Sequence, residues 1–216
     1  MLRVLLLLLL LPIEASAGAW LRDKGALFLS YSLTMEDPEN SGAAVAFAAL
    51  YAEFGLSHQI TVGVDLGSNE TGFYKAVAFA IVPLKFTTGA YNMNIEVGGG
   101  VIDNRVILRP GLSLGRGFEL FGTSGWFSID TRGELDITGD HNRWSTDVTI
   151  GFNTGRRRKM LLQLQQGGPM NDPDVLRLAP SLVFETQPGR HLEIGATAGV
   201  ENAPDYGFKI GVWRAF

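Results

Sequence analysis

The chain has 216 residues with a formal net charge of −4 and no cysteine, so disulfide stapling, thiolate metal sites and lipid anchoring through cysteine are excluded. Charges of both signs are interspersed, with one basic run at Arg156-Arg157-Arg158-Lys159, which argues against a nucleic-acid partner. No cofactor or metal is expected.

The N-terminus carries Arg3, then an unbroken apolar run from Val4 to Leu11, then Pro12 and the small-residue site Ala15-Ser16-Ala17. This reads as a signal peptide cleaved after Ala17. A run of about eight residues is too short for a hydrocarbon core that needs roughly 20 in helical form. Residues 1–17 are thus assigned to the leader, 18–25 to a periplasmic lead-in and 26–216 to a single domain.

From Gly25 onward, alternating segments of about ten residues recur between Gly, Asn, Asp and Pro clusters, the trace expected of a transmembrane barrel. They fall near 26–35, 43–54, 60–67, 73–83, 91–102, 105–114, 122–135, 143–154, 159–166, 175–185, 191–200 and 206–216. The expected fold is all-β: a closed antiparallel up-and-down transmembrane β-barrel of about twelve strands. No later segment is long and apolar enough for a membrane helix, and only a closed barrel otherwise satisfies backbone hydrogen bonds in lipid.

Connection chemistry alternates with the strands. The odd connections (36–42, 68–72, 103–104, 136–142, 167–174 and 201–205) are acidic or rich in Asn, Gly and Pro. The even ones (55–59, 84–90, 115–121, 155–158 and 186–190) tend to be basic and tight. Long loops outside and short turns inside would give this parity.

Alternation alone does not say which face meets lipid. A water-facing surface would be rich in Lys and Glu, yet the chain has five lysines and its second face is built largely of Gly, Ala, Ser and Thr. The apolar rows are therefore placed outward, among them Leu27/Leu29/Tyr31/Leu33, Val106/Leu108/Leu112/Leu114 and Leu192/Ile194/Val200. Aromatics near segment ends, such as Phe54, Tyr91, Tyr206 and Phe216, suit interfacial girdles.

The lumen should then receive Ser30, Ser32, Thr34, Thr61, Gly63 and Asp65, and Ala76, Ala78 and Ala80 from the fourth strand, forming a smooth wall. Opposite it, Glu96, Arg109, Asp130, Arg132, Glu134, Asp147, Gln163, Gln165, Arg177, Glu185, Glu193 and Lys209 should form an ionic wall. Asp130, Arg132 and Glu134 alternate on one strand with Arg109 and Asp147 on its neighbours. That suggests either a salt-bridge ladder that closes the lumen or a constriction for small polar solutes.

The last strand carries Phe208, Ile210 and Val212 on one face and ends at Phe216, with Arg214 the exception on that face. This segment resembles the final strand of bacterial outer-membrane β-barrel proteins. The resemblance implies an outer-membrane location and a signal at Phe208, Ile210, Val212 and Phe216 read by the barrel-insertion machinery. It also implies outer-membrane lipids and lipopolysaccharide as surroundings; a monomer is expected. The lead-in 18–25 and Glu53-Phe54-Gly55-Leu56-Ser57 weakly resemble uncharacterised proteobacterial barrels linked to uptake of hydrophobic or aromatic compounds, which implies a plug at the periplasmic mouth.

Three functions compete at this point. A small channel for passive solute uptake leads, followed by a non-transporting structural or surface barrel. A rim hydrolase comes third, resting on His141 between Asp136 and Asp140, because His58 and His191 fall in inner turns. No serine nucleophile stands beside a histidine as in known barrel hydrolases, so an enzyme is not expected. Asn171, Asp172 and Asp174 are read as turn sequence in preference to a cation site.

Overall fold

A computed structural model describes residues 18–37, 44–84, 91–204 and 206–216. The leader assignment lies outside the described residues, as do most of the connections 36–42 and 84–90.

The strands are β1 (Leu27–Glu36), β2 (Val45–Ser57), β3 (Ile60–Asn69), β4 (Gly72–Pro83), β5 (Asn92–Ile102) and β6 (Arg105–Leu120). They continue as β7 (Thr123–Asp136), β8 (Arg143–Gly155), β9 (Arg158–Pro169), β10 (Val175–Gln187), β11 (Arg190–Glu201) and β12 (Tyr206–Ala215). Every neighbouring pair is antiparallel, and β1 pairs with β12 to close the ring. Closure leaves no unpaired edge. At 10 to 16 residues, the strands meet or exceed the roughly 9–11 that a tilted strand needs to cross a bilayer.

The seam is sealed by the last residue. Phe216 N donates to Leu27 O at 2.9 Å, and Leu27 N donates to Phe216 O at 3.3 Å. Both ends of the barrel chain therefore lie at one rim, here termed the turn end, together with the even connections. Phe121-Gly122 joins β6 to β7 there with both residues at positive φ (52° and 75°), the two-residue hairpin turn whose twist matches the strands. At the opposite, loop end, Asp103 (φ 49°) and Asn104 (φ 60°) make the same kind of turn. Several register shifts, at Gly55/Ser57, Asn153/Gly155 and Glu185/Gln187, sit beside turn-end connections, where bulges let a barrel rim bend.

The structure departs from the sequence expectation in two places. The connection expected at 115–121 is strand almost throughout: β6 runs to Leu120 and pairs with Thr123–Ser128, continuing past Gly115, where its pairing with β5 ends at Asn92. The fourth strand is also turned over. Val77, Phe79 and Ile81 are buried inside, opposite Asp65, Gly63 and Thr61, and Ala76, Ala78 and Ala80 face out. A strand with small residues on one face and large apolar ones on the other fits either orientation by period alone. The register to β3 decides it, because Asp65 and Thr61 face the lumen.

Outside the barrel, Tyr31, Val97, Leu108, Leu112, Leu162, Leu182, Ile194, Phe208 and Val212 form an exposed apolar surface. Such an area has no place in water and matches the lipid-facing band of a membrane barrel. Phe54, Tyr91, Tyr206 and Phe216 sit exposed at strand ends on this surface.

Candidate functional site

The space inside the barrel follows from the side chains of its described inward faces. Strands β3 to β7 carry a continuous ionic network. Arg109 donates from Nη1 to Asp65 Oδ2 at 2.6 Å and from Nε to Glu96 Oε1 at 2.7 Å. Lys75 Nζ reaches Asp65 Oδ2 at 2.9 Å, and Arg132 Nε reaches Glu96 Oε2 at 3.2 Å. Arg109 is 1 % exposed, so its charge survives only because two carboxylates and the Phe79 ring, 5.0 Å from its guanidinium carbon, surround it.

Across the ring, Arg177 donates to Gln165 Oε1 and Glu36 Oε1, both at 2.7 Å, and Thr197 Oγ1 donates to Glu36 Oε1 at 3.1 Å. Glu193 accepts from Lys209 Nζ at 3.0 Å and from Trp213 Nε1 at 3.1 Å. Gln163 Nε2 donates to Thr149 Oγ1 at 3.1 Å. Glu134 lies 3.9 Å from Arg143 near the loop end, and Glu185 shares the inner face with buried Val183.

Asp130 and Asp147 complete the inward set but do not join the ladder that their positions suggested. They face each other in register across β7 and β8, two like charges side by side. Arg109 and Arg132 turn instead to Asp65 and Glu96, which spacing within one strand could not reveal.

Between these walls lies a chamber of about 400 Å³. Lys75, Asp130, Arg132, Asp147, Gln163, Gln165 and Lys209 line it, with Tyr51, Trp126 and Trp213. Its charges are mixed, so it imposes no strong selection by sign.

Toward the turn end the lumen becomes apolar. Phe28, Trp126, Leu161, Val183 and Trp213 pack into one buried cluster with Trp20 and Tyr51 against it. Its members come from β1, β12, β10, β9 and β7, so the cluster runs around half of the ring. The lead-in completes this floor. Gly18 O accepts from Asn94 Nδ2 at 2.7 Å, Arg22 N donates to Thr61 Oγ1 at 2.9 Å, and Gly25 N donates to Gly55 O at 2.8 Å. The segment therefore crosses from the β5–β7 wall to the β2–β3 wall. Arg22 forms a buried ion pair with Glu53, which also accepts from Tyr51 Oη at 2.6 Å. Gly115 makes room for the crossing, since a Cβ there would stand 2.5 Å from Ala19 Cβ and from the Trp20 ring.

The aromatic floor, Glu53, Tyr51, Lys75 and Glu36 were not among the sequence-derived lumen residues. Trp126 and Trp213 had a signal: each lies on the face of its strand opposite the apolar row. The loop-end histidine is ordinary turn structure. His141 Nδ1 is 3.6 Å from Asp136 Oδ2, and Asp136 itself caps the turn by accepting from Thr138 N at 3.0 Å.

With this geometry in place, similarity can be weighed. No family model and no curated protein matches the chain. Solved structures do. The KdgM porin aligns with TM-score 0.65 at 9% identity, covering 88% of this chain and 99% of its own. The NanC porin aligns with TM-score 0.62 at 13% identity, covering 87% and 98%. The fold is shared with small outer-membrane porins. An outer-membrane channel from Pseudomonas putida F1 also aligns, with TM-score 0.56 at 8% identity, covering 94% of this chain and 100% of its own. At such identities the likeness extends to the barrel and not to its lumen chemistry.

Proposed function

We propose that the protein is a small passive channel of the bacterial outer membrane, admitting small polar solutes and floored at its periplasmic end by residues 18–25. The observation that carries this reading is the polar chamber of about 400 Å³ directly above a floor built partly from a separate, strand-free segment. A barrel whose role was purely structural could fill its core with packed side chains, as small barrels do. A chamber lined by ions and amides is suited to solutes that exchange water for side-chain hydrogen bonds and leave again.

Export through cleavage after Ala17 precedes this role. Insertion uses Phe208, Ile210, Val212 and Phe216 as the assembly signal, and the monomer then sits among outer-membrane lipids and lipopolysaccharide with its turn end in the periplasm. That orientation follows the rule of short periplasmic turns and longer outer loops.

The test is planar-bilayer conductance of the purified mature protein beside a variant lacking residues 18–24. The intact protein should show small or infrequent openings, and the deletion should raise single-channel conductance severalfold without strong ion selectivity. Absence of single-channel events in both proteins would overturn the channel reading in favour of a closed barrel.

A further inference from the structure

Most of the lumen's cations can be matched to carboxylates. Arg109 has Asp65 and Glu96, Arg132 has Glu96, Arg177 has Glu36, Lys209 has Glu193 and Arg22 has Glu53. Asp130 and Asp147 are inward, paired in register, and neither forms an ion pair among the described residues. Asp130 Oδ1 is buried and has no hydrogen-bond partner. Two adjacent carboxylates with no cation between them repel each other, and a buried, unpartnered oxygen is costly to keep charged.

What lies against that oxygen is Gly18. A Cβ on Gly18 would stand 2.0 Å from Asp130 Oδ1 and 2.7 Å from Ser113 Oγ, so no larger residue fits. Its φ of +78° likewise favours glycine. The backbone nitrogen is one bond angle away from that Cβ direction, which places it within about 4.5 Å of the same oxygen. Asn94 anchors the carbonyl side of the residue, and Ala19 beyond it is completely buried. The residue is thus held at its carbonyl by Asn94 and packed at its Cα against Asp130, with its nitrogen in the same neighbourhood.

We infer that the amino group released at Gly18 when the leader is removed is a built-in ligand of the lumen, bound by Asp130 with Asp147 beside it. The inference rests on the cleavage after Ala17 proposed above. Water hydrolyses the Ala17–Gly18 peptide bond, leaving a carboxylate on Ala17 and an ammonium on Gly18. Before that step the nitrogen is a neutral amide with a single donor. Afterwards it carries a positive charge and three donors, protonated at neutral pH given an ordinary value of about 7.7–8.0. The same event that frees the protein from its leader thus creates the cation that locks residues 18–25 across the lumen.

The experiment is amine labelling of the full mature protein, isolated from membranes in its folded, heat-modifiable form. Acetic anhydride at neutral pH is the probe, and mass spectrometry of the N-terminal tryptic peptide is the readout, with the exposed Lys24 amine as internal reference. The mature chain should begin at Gly18, and its amine should be acetylated about tenfold more slowly in the native protein than in Asp130→Asn, the effect of a one-unit change in proton affinity. Gly18→Ala, which cannot seat against Asp130, should react as fast as Asp130→Asn. A mature chain beginning elsewhere would overturn the cleavage reading and the inference with it. Gly18 at the terminus with equal rates in wild type and Asp130→Asn would overturn the pairing alone. Should Asp130→Asn fail to fold, the native and detergent-unfolded wild-type proteins are compared, and equal rates there likewise overturn it.

Discussion

Arg109 shows how much a single lumen residue can hold together. Its guanidinium draws Asp65 from β3 and Glu96 from β5 into one cluster, and no other described cation reaches both of these carboxylates. Arg109→Ala should lower unfolding stability by about 1–3 kcal/mol, because Asp65 and Glu96 lose their shared partner and keep only Lys75 and Arg132. Urea unfolding in lipid vesicles measures this. The fivefold replacement Asp65→Asn, Lys75→Met, Glu96→Gln, Arg109→Met and Arg132→Met should recover most of the loss, since removing a whole buried ionic cluster is far cheaper than removing one member. The inward direction of Arg109 was legible in the sequence from two-residue alternation. Its partners were not, because Asp65 is 44 residues away and only the register of β3 to β6 brings it near. The same limit explains Asp130 and Asp147, whose charges looked like rungs of a ladder until the strands were placed side by side.

At the scale of the element, β12 and the lead-in share the turn end but do different work. Phe216 bonds Leu27 through its backbone, and its ring lies 4.4 Å from the Arg214 guanidinium on the outer surface. That contact accounts for Arg214, the one charged residue on an otherwise apolar face, as a cation resting on an aromatic ring at headgroup depth. Because the ring is exposed and the seam is made by backbone atoms, Phe216→Ala should barely change the unfolding midpoint of refolded protein. It should nevertheless cut the amount of barrel assembled in cells severalfold, if the terminal aromatic acts as an assembly signal. Quantitative membrane fractionation alongside in vitro unfolding separates the two effects. The segments of the strands could be read from alternation and turn residues, whereas the facing of β4 could not. Its small face and its large apolar face each satisfy period two, and the choice was made by Asp65 and Thr61 on the neighbouring strand. The extension of β6 was hidden for a related reason: Gly115, Gly117 and the charged Arg116 and Glu119 resemble a turn in isolation, yet pair with Thr123–Ser128 as strand.

For the whole molecule the decisive quantity is which solvent covers the outer surface. Leu112 lies near the middle of β6, outward, between Ile95 on β5 and Thr131 on β7. It is 46% exposed when the barrel is stripped of surroundings, and Leu108, Val97 and Ile194 are comparable members of the same surface. If that surface faces hydrocarbon, Leu112→Arg places a charge near the bilayer midplane and should cost about 2–4 kcal/mol. If it faced water, the same substitution would fall within about 0.5 kcal/mol of neutral, as exposed surface changes usually do. The inward chamber supplies the control, because Ser30→Arg enters a polar, ion-lined space and should change conductance far more than stability. Reversible urea unfolding of the three proteins in phosphatidylcholine vesicles therefore reads the orientation of the entire barrel from two substitutions. A large loss confined to Leu112→Arg fits lipid outside and a polar lumen inside, whereas a near-neutral Leu112→Arg would reverse that assignment.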